Sequence, residues 1–113
     1  MPEPSQVPDG AAVFPLIPAE IEVHPLLLAV LHAVVFLEGS GENVLDPAAA
    51  AEQLELMAAC LQRLDGAELR RVREDLEVLT SYAKDSEWPK DAIRFLQTFL
   101  ADYGVGVNPH HEQ

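Results

Sequence analysis

Cysteine is all but missing from this sequence: Cys60 stands alone, so no intrachain disulfide can form and a disulfide-stapled scaffold is excluded. A solitary thiol suits a reducing compartment, and the expected address is cytoplasmic. Glycine is scarce, with six residues, and aromatics make up 6% of the chain, which argues against a turn-rich β-sandwich or barrel. Positive charge is absent from residues 1–62, which carry nine acids (Glu3, Asp9, Glu20, Glu22, Glu38, Glu42, Asp46, Glu52, Glu55) and no lysine or arginine. Long hydrophobic runs are lacking too. The longest, Leu26–Leu37, has 12 residues interrupted by His32. As a helix it would rise about 18 Å, short of a ~30 Å hydrocarbon core. The first residues, MPEPSQVPDG, place acids and prolines where a secretory signal would carry positive charge, so no signal peptide is expected.

What is present fits one compact core. The chain has 113 residues, 49% apolar and 23% charged, a size that folds without a structural metal. Nineteen acids against seven bases give a formal charge of −12, and every base lies between Arg63 and Arg94. Such a surface repels nucleic-acid backbone and anionic lipid, so neither nucleic acid nor a membrane is an expected partner. The imbalance between the halves points to an electrostatic face, for a basic protein partner or for the chain's own basic segment. The plainer alternative is that one-signed charge keeps a rather apolar domain soluble.

The pattern predicts an all-α fold, a small four-helix bundle with an extended proline-rich N-terminal arm. Residues 1–22 hold five of the nine prolines and read as that arm, with Val13, Phe14, Leu16 and Ile17 lying across the helices. Its Pro15-Leu16-Ile17-Pro18 also fits a P-x-x-P ligand pattern, which is common by chance. Residues 23–104 form the helical domain, and residues 105–113 are expected to fray. A first helix should open at Pro25 and stop before Gly39-Ser40-Gly41; it is apolar nearly all round, a pattern that belongs inside a bundle or against a second subunit. A second should start at Asp46-Pro47 and run about five turns with Ala50, Leu54, Met57, Leu61 and Leu64 on one side. A third should open with a reciprocal cap between Asp65 and Glu68 and carry Leu69, Val72, Leu76, Leu79 and Ala83 at three-four spacing, so that helices two and three pack as an antiparallel hairpin along that seam. A fourth should open near Ser86 or Trp88, keep Pro89 in its first turn and close at Gly104.

The residues of chemistry are poorly arranged for catalysis, and no catalytic, cofactor-binding or metal-binding residue is expected. None of the four histidines stands in a metal-ligand spacing. His24 and Glu20 are four apart, but Pro25 disfavours helix at His24, so they need not share a face. His32, in the most apolar helix, reads as a neutral core or interface histidine with one hydrogen bond, or else a pH-sensitive contact. His110-His111-Glu112 lies in the tail, without preorganised geometry. Cys60, among Met57, Ala58, Ala59 and Leu61, reads as an inert buried thiol. Glu52 with Glu55, and Glu74-Asp75 with Glu77, read as carboxylates on wet polar faces. Gly39-Ser40-Gly41 lacks the lysine and spacing of a phosphate loop.

The most informative constellation is basic. Arg63, Arg70, Arg71 and Arg73 gather around the turn between helices two and three. Three of them sit in the first turns of helix three, where the helix dipole disfavours cations, and each precedes its acid in Arg70/Glu74, Arg71/Asp75 and Arg73/Glu77, the weaker order. Either these arginines pair within the chain or between subunits, or they dock a partner. Trp88 is a packing lid or an interface anchor. These features point to a non-enzymatic acidic interaction module that binds a protein with a basic surface, as inhibitors and immunity-type proteins do. The expected interaction residues are Arg63, Arg70, Arg71, Arg73, Glu52, Glu55 and Trp88, with self-association through helix one or four. The alternative is a structural subunit of a homo-oligomer or larger assembly joined through apolar helix faces.

Overall fold

Four helices and no strand make up the described residues of the computed structural model, which are 9–105: α1 (Pro25–Gly39), α2 (Pro47–Leu61), α3 (Gly66–Asp85) and α4 (Lys90–Asp102). The expectations for residues 1–8 and for the tail with His110, His111 and Glu112 lie outside that range. No helix of the described residues is long and apolar enough to cross a membrane.

Local sequence sets the helix starts. At α1 the His24 Nδ1 accepts from the Leu26 N–H and Pro25 takes the first helical position; at α2 the Asp46 carboxylate accepts from the Ala49 N–H, with Pro47 next. Proline costs nothing there, because its missing N–H would have had no helical partner. The reciprocal cap expected at Asp65 and Glu68 does not form: Asp65 makes no side-chain cap bond, and Gly66 enters α3 at φ +55°. Pro89 precedes α4 instead of lying in its first turn, and α2 ends at Leu61, short of the expected five turns.

The ends of α3 and α4 share one geometry. After α4, Val105 N–H donates to the Leu100 carbonyl (2.8 Å) and Gly104 N–H to Ala101 (3.1 Å), with Gly104 at φ +73°. After α3, Trp88 N–H donates to Ala83 (2.9 Å) and Glu87 N–H to Lys84 (3.1 Å), with Glu87 at φ +59°. In each case a left-handed residue turns the chain back and satisfies the last carbonyls. The residue after it is aimed inward. Val105 is buried at 3% exposure, so the expectation of fraying from 105 is corrected at that residue. Trp88 packs edge-on against Phe14 (5.6 Å) and Tyr82 (6.0 Å).

The helices pair as α1 with α2 and α3 with α4, not as the α2/α3 hairpin that the seam suggested. The first turn of α1 lies beside the end of α2, and the last turn of α1 beside the start of α2, so this pair is antiparallel. The middle of α3, Arg73 to Ser81, lies beside the second half of α4. The reason is competition for apolar surface. Because α1 is apolar nearly all round, it can cover Leu54, Met57 and Leu61 of α2 while giving Leu27, Leu31 and Val34 to the main core. That core adds Leu76, Leu79 and Ala83 from α3, Leu96 and Phe99 from α4, and Phe14 and Val23 from the segment before α1. Phe14 meets His32 (5.3 Å) and Trp88 edge to face, and Phe95 (6.4 Å) at a tilt. His32 is half-buried with this ring contact, in place of the hydrogen-bonded core histidine expected.

Three polar contacts join the two hairpins. The Asp75 carboxylate, buried at 4% exposure, accepts from the His24 backbone N–H (3.0 Å) and from Arg71 Nε (2.9 Å). It is not on a wet polar face as its neighbours Glu74 and Glu77 are. Gln62 Nε2 donates to the Tyr103 carbonyl (2.8 Å), and the Tyr103 hydroxyl donates to Glu38.

Candidate functional site

Where α1, the end of α2 and the start of α3 converge, apolar side chains line a groove of about 460 Å³: Leu26, Leu27, Val30, Leu61, Leu64, Ala67 and Val72, with His24, Glu68 and Arg71 at its edges. A second depression of about 290 Å³ adjoins it, lined by Val30, Gln53, Leu56, Met57, Cys60 and Leu61. Val30 and Leu61 belong to both, so the two form one trough. Two of its apolar side chains stand in water, Leu26 at 71% and Leu56 at 56% exposure, while Leu27 is buried and Val30, Leu61 and Val72 are partly buried against the core.

The trough exists because of how α1 and α2 are built. Each has apolar residues on more than one side, and a helix pair covers only one side of each. On α2, Ala50, Leu54, Met57 and Leu61 turn toward α1, whereas Leu56 and Cys60 fall on the adjoining side and remain outside. Cys60 is therefore an exposed thiol on the trough, a correction to the buried residue expected. Of the two places expected for α1, inside a bundle or against a second subunit, the first is corrected in part: Leu27, Leu31 and Val34 are buried, but Leu26 and Phe36 are exposed.

The lining of the trough itself holds one carboxylate, Glu68, and one guanidinium, Arg71. From residue 25 to 61 the chain has five acids (Glu38, Glu42, Asp46, Glu52, Glu55) and no lysine or arginine. Glu52 lies one helical turn before Leu56, on the same side of α2. Glu68 lines the far end. Arg71, the one cation of the lining, is committed to Asp75, and that hydrogen bond raises its already high pKa.

The four expected arginines are all exposed but do not share one groove. Arg63 lies in the turn beside Leu64, and Arg71 lines the trough. Arg73 lines a separate groove of about 720 Å³ between α3 and α4, with Glu77, Thr80, Ser81 and Gln97 among its walls. At about 100° per residue Arg71 points about 160° away from Arg73, whereas Arg70 lies on roughly the same side as Arg73. Of the three i, i+4 pairs, Arg71–Asp75 is the one that closes among the described residues. Glu52 and Glu55 are exposed on α2, and Trp88 is engaged with Phe14 and Tyr82 inside the fold.

Leu26, Val30 and Leu56, which help to make the trough, were not among the expected site residues; Leu64 was expected on the packed side of helix two, and Asp75, which pins the start of α1 to α3, on a wet face. The available signal was the surplus of apolar positions on α1 and α2 beyond what one packed face requires. Among the described residues no group of three or more histidine, cysteine, aspartate or glutamate side chains is placed to hold a metal ion. No protein-family model, curated protein or solved structure matches this chain.

Proposed function

We propose that this protein works by binding another protein, and that the trough across α1, α2 and the start of α3 is its docking face. The observation that carries the reading is the uncovered aliphatic lining of that trough, Leu26 and Leu56 above all, inside a stretch of chain whose only formal charges are negative. Exposed contiguous apolar surface rimmed by polar groups is the ordinary mark of an interaction site. The acids steer a basic partner to it, and apolar contact holds the partner once there. No covalent step is involved. The role resembles that of an inhibitor or immunity-type protein in its physics, charge first and apolar contact second.

The partner is a protein surface with aliphatic side chains flanked by lysine or arginine. A second reading, a subunit of a homo-oligomeric assembly, is favoured by the same exposed leucines but opposed by the charge, since it would bring two acidic helix pairs face to face. Light scattering after size exclusion at low and high salt separates the two. The reading given first expects a monomer at both salt concentrations. A dimer that strengthens as salt is added would favour the second and overturn the first.

A further inference from the structure

Resting on the docking face just described, we infer that its partner element is a single amphipathic α-helix with an aliphatic stripe and basic flanks. Three features of the trough select that form of ligand.

The first is the backbone that the trough offers. Its walls are α1, α2 and α3, whose peptide groups are bonded along their own helices, and the described residues contain no strand. An extended segment recognised by strand addition needs an open sheet edge to pair with, and none is present among the described residues. A ligand lying here obtains no peptide hydrogen bonds from the walls, so it must satisfy its own backbone. A helix does so.

The second is the chemistry of the lining. Grooves that take polyproline segments are built from aromatic rings. This one is aliphatic, with Val30 and Leu61 forming a low divide between its two depressions and no phenylalanine, tyrosine or tryptophan in the walls. Two depressions on either side of a divide suit two anchors on one helical face, separated by one or two turns, as in i, i+3, i+4 and i+7 spacing.

The third is charge. Glu68 lines one end of the trough, helical spacing sets the exposed Glu52 one turn from Leu56 on the same side of α2, and Arg71 is hydrogen-bonded to Asp75. Flanking lysines or arginines on the ligand meet carboxylates at both margins. An acidic helix would meet them too and be repelled. The same sign disfavours an anionic lipid surface as the occupant.

The test uses the full chain and a synthetic peptide of about 18 residues, with leucines at i, i+3, i+4 and i+7 and lysines beside them. It is compared with a peptide of the same composition interrupted by two central prolines, and with an acidic counterpart in which glutamate replaces lysine. Binding is read by calorimetry and helix content by circular dichroism. The expected result is association of the basic helical peptide alone, a gain of helix on mixing, and a loss of at least about tenfold in affinity with Leu56→Asp or Val30→Asp. Glu52→Lys with Glu68→Lys should weaken binding and flatten its salt dependence, while Arg70→Glu should leave it unchanged. Leu56 is exposed, so its substitution should not unfold the chain; a melting curve verifies this. Equal binding of the proline-interrupted peptide would overturn the helix while leaving the docking face intact. Indifference to Leu56→Asp and Val30→Asp would overturn the docking face as well, and no binding by the basic helical peptide at about 100 μM would overturn the inference.

Discussion

The α1/α2 hairpin and the α3/α4 hairpin are built on opposite plans. In α3 and α4 a narrow apolar stripe faces inward: Leu76, Leu79 and Ala83 on one, Leu96 and Phe99 on the other, all buried. Apart from the buried Asp75, residues 66–102 carry charges of both signs, seven acids with six bases. In α1 and α2 four apolar residues are buried (Leu27, Leu31, Val34, Ala50), the remaining apolar residues spread round the helix, and the charges are of one sign. A stripe that matches its burial leaves little over: of the large apolar side chains on α3 and α4, Val78 alone is exposed. A surplus of apolar surface leaves more for a partner, and here the surplus coincides with the region of unbalanced charge. In the proposed function α3 and α4 are chiefly scaffold, and the first hairpin together with the start of α3 presents the face.

Substitutions sharpen that contrast. The largest effect belongs to Phe99→Ala, which opens a cavity in the shared core and should cost about 3–5 kcal/mol in chemical denaturation. Leu56→Ala should cost no more than about 0.5 kcal/mol in the same experiment. A comparable loss from the two would mean that α2 is part of the core after all. Next is Asp75→Ala, which leaves the His24 N–H without its acceptor and Arg71 without its partner; a loss of about 2–3 kcal/mol is expected. Because Asp75 joins the hairpins, this variant should also raise amide exchange at the start of α1.

Smaller effects lie at the helix ends. Glu87 occupies a left-handed position that Gly104 fills at the end of α4. An L side chain there costs about 1–2 kcal/mol relative to glycine. Glu87→Gly should therefore raise stability by about 1 kcal/mol, read as a higher denaturation midpoint. The smallest effect is electrostatic. Loss of water around its carboxylate, and then the nearby Asp102, raise the pKa of Glu38 above its ordinary 4.5. The folded chain holds this proton more tightly than the unfolded one, so the group's contribution to stability is complete below 4.5 and is lost as the pH rises through the folded-state value. Glu38→Gln should flatten the melting temperature in that window and raise it slightly at neutral pH.

Much of the secondary structure was legible because it depends on short-range chemistry. Pro25, Asp46-Pro47 and Gly104 mark their helix ends whatever surrounds them. The pairing of helices was not legible, because the seam on α2 and the seam on α3 fit one another as well as they fit α1, and periodicity does not say which wins. The end of α3 was obscured because Glu87 takes a conformation that glycine or asparagine usually signals. Asp75 read as one acid among several; only the arrival of the His24 backbone above it makes it a buried anchor. Of the site, the acidic first half and the excess apolar character of α1 were visible beforehand. That Leu56 and Cys60 stay in water was not, because it depends on which side of α2 meets α1.

The most direct measurement is to follow backbone amide resonances of the labelled protein while the basic amphipathic peptide is added. Shifts concentrated at residues 24–30, 53–64 and 67–72, with the groove around Arg73 and Gln97 silent, are the predicted result. Shifts centred on α3 and α4 instead, or spread evenly over the acidic surface, would contradict it.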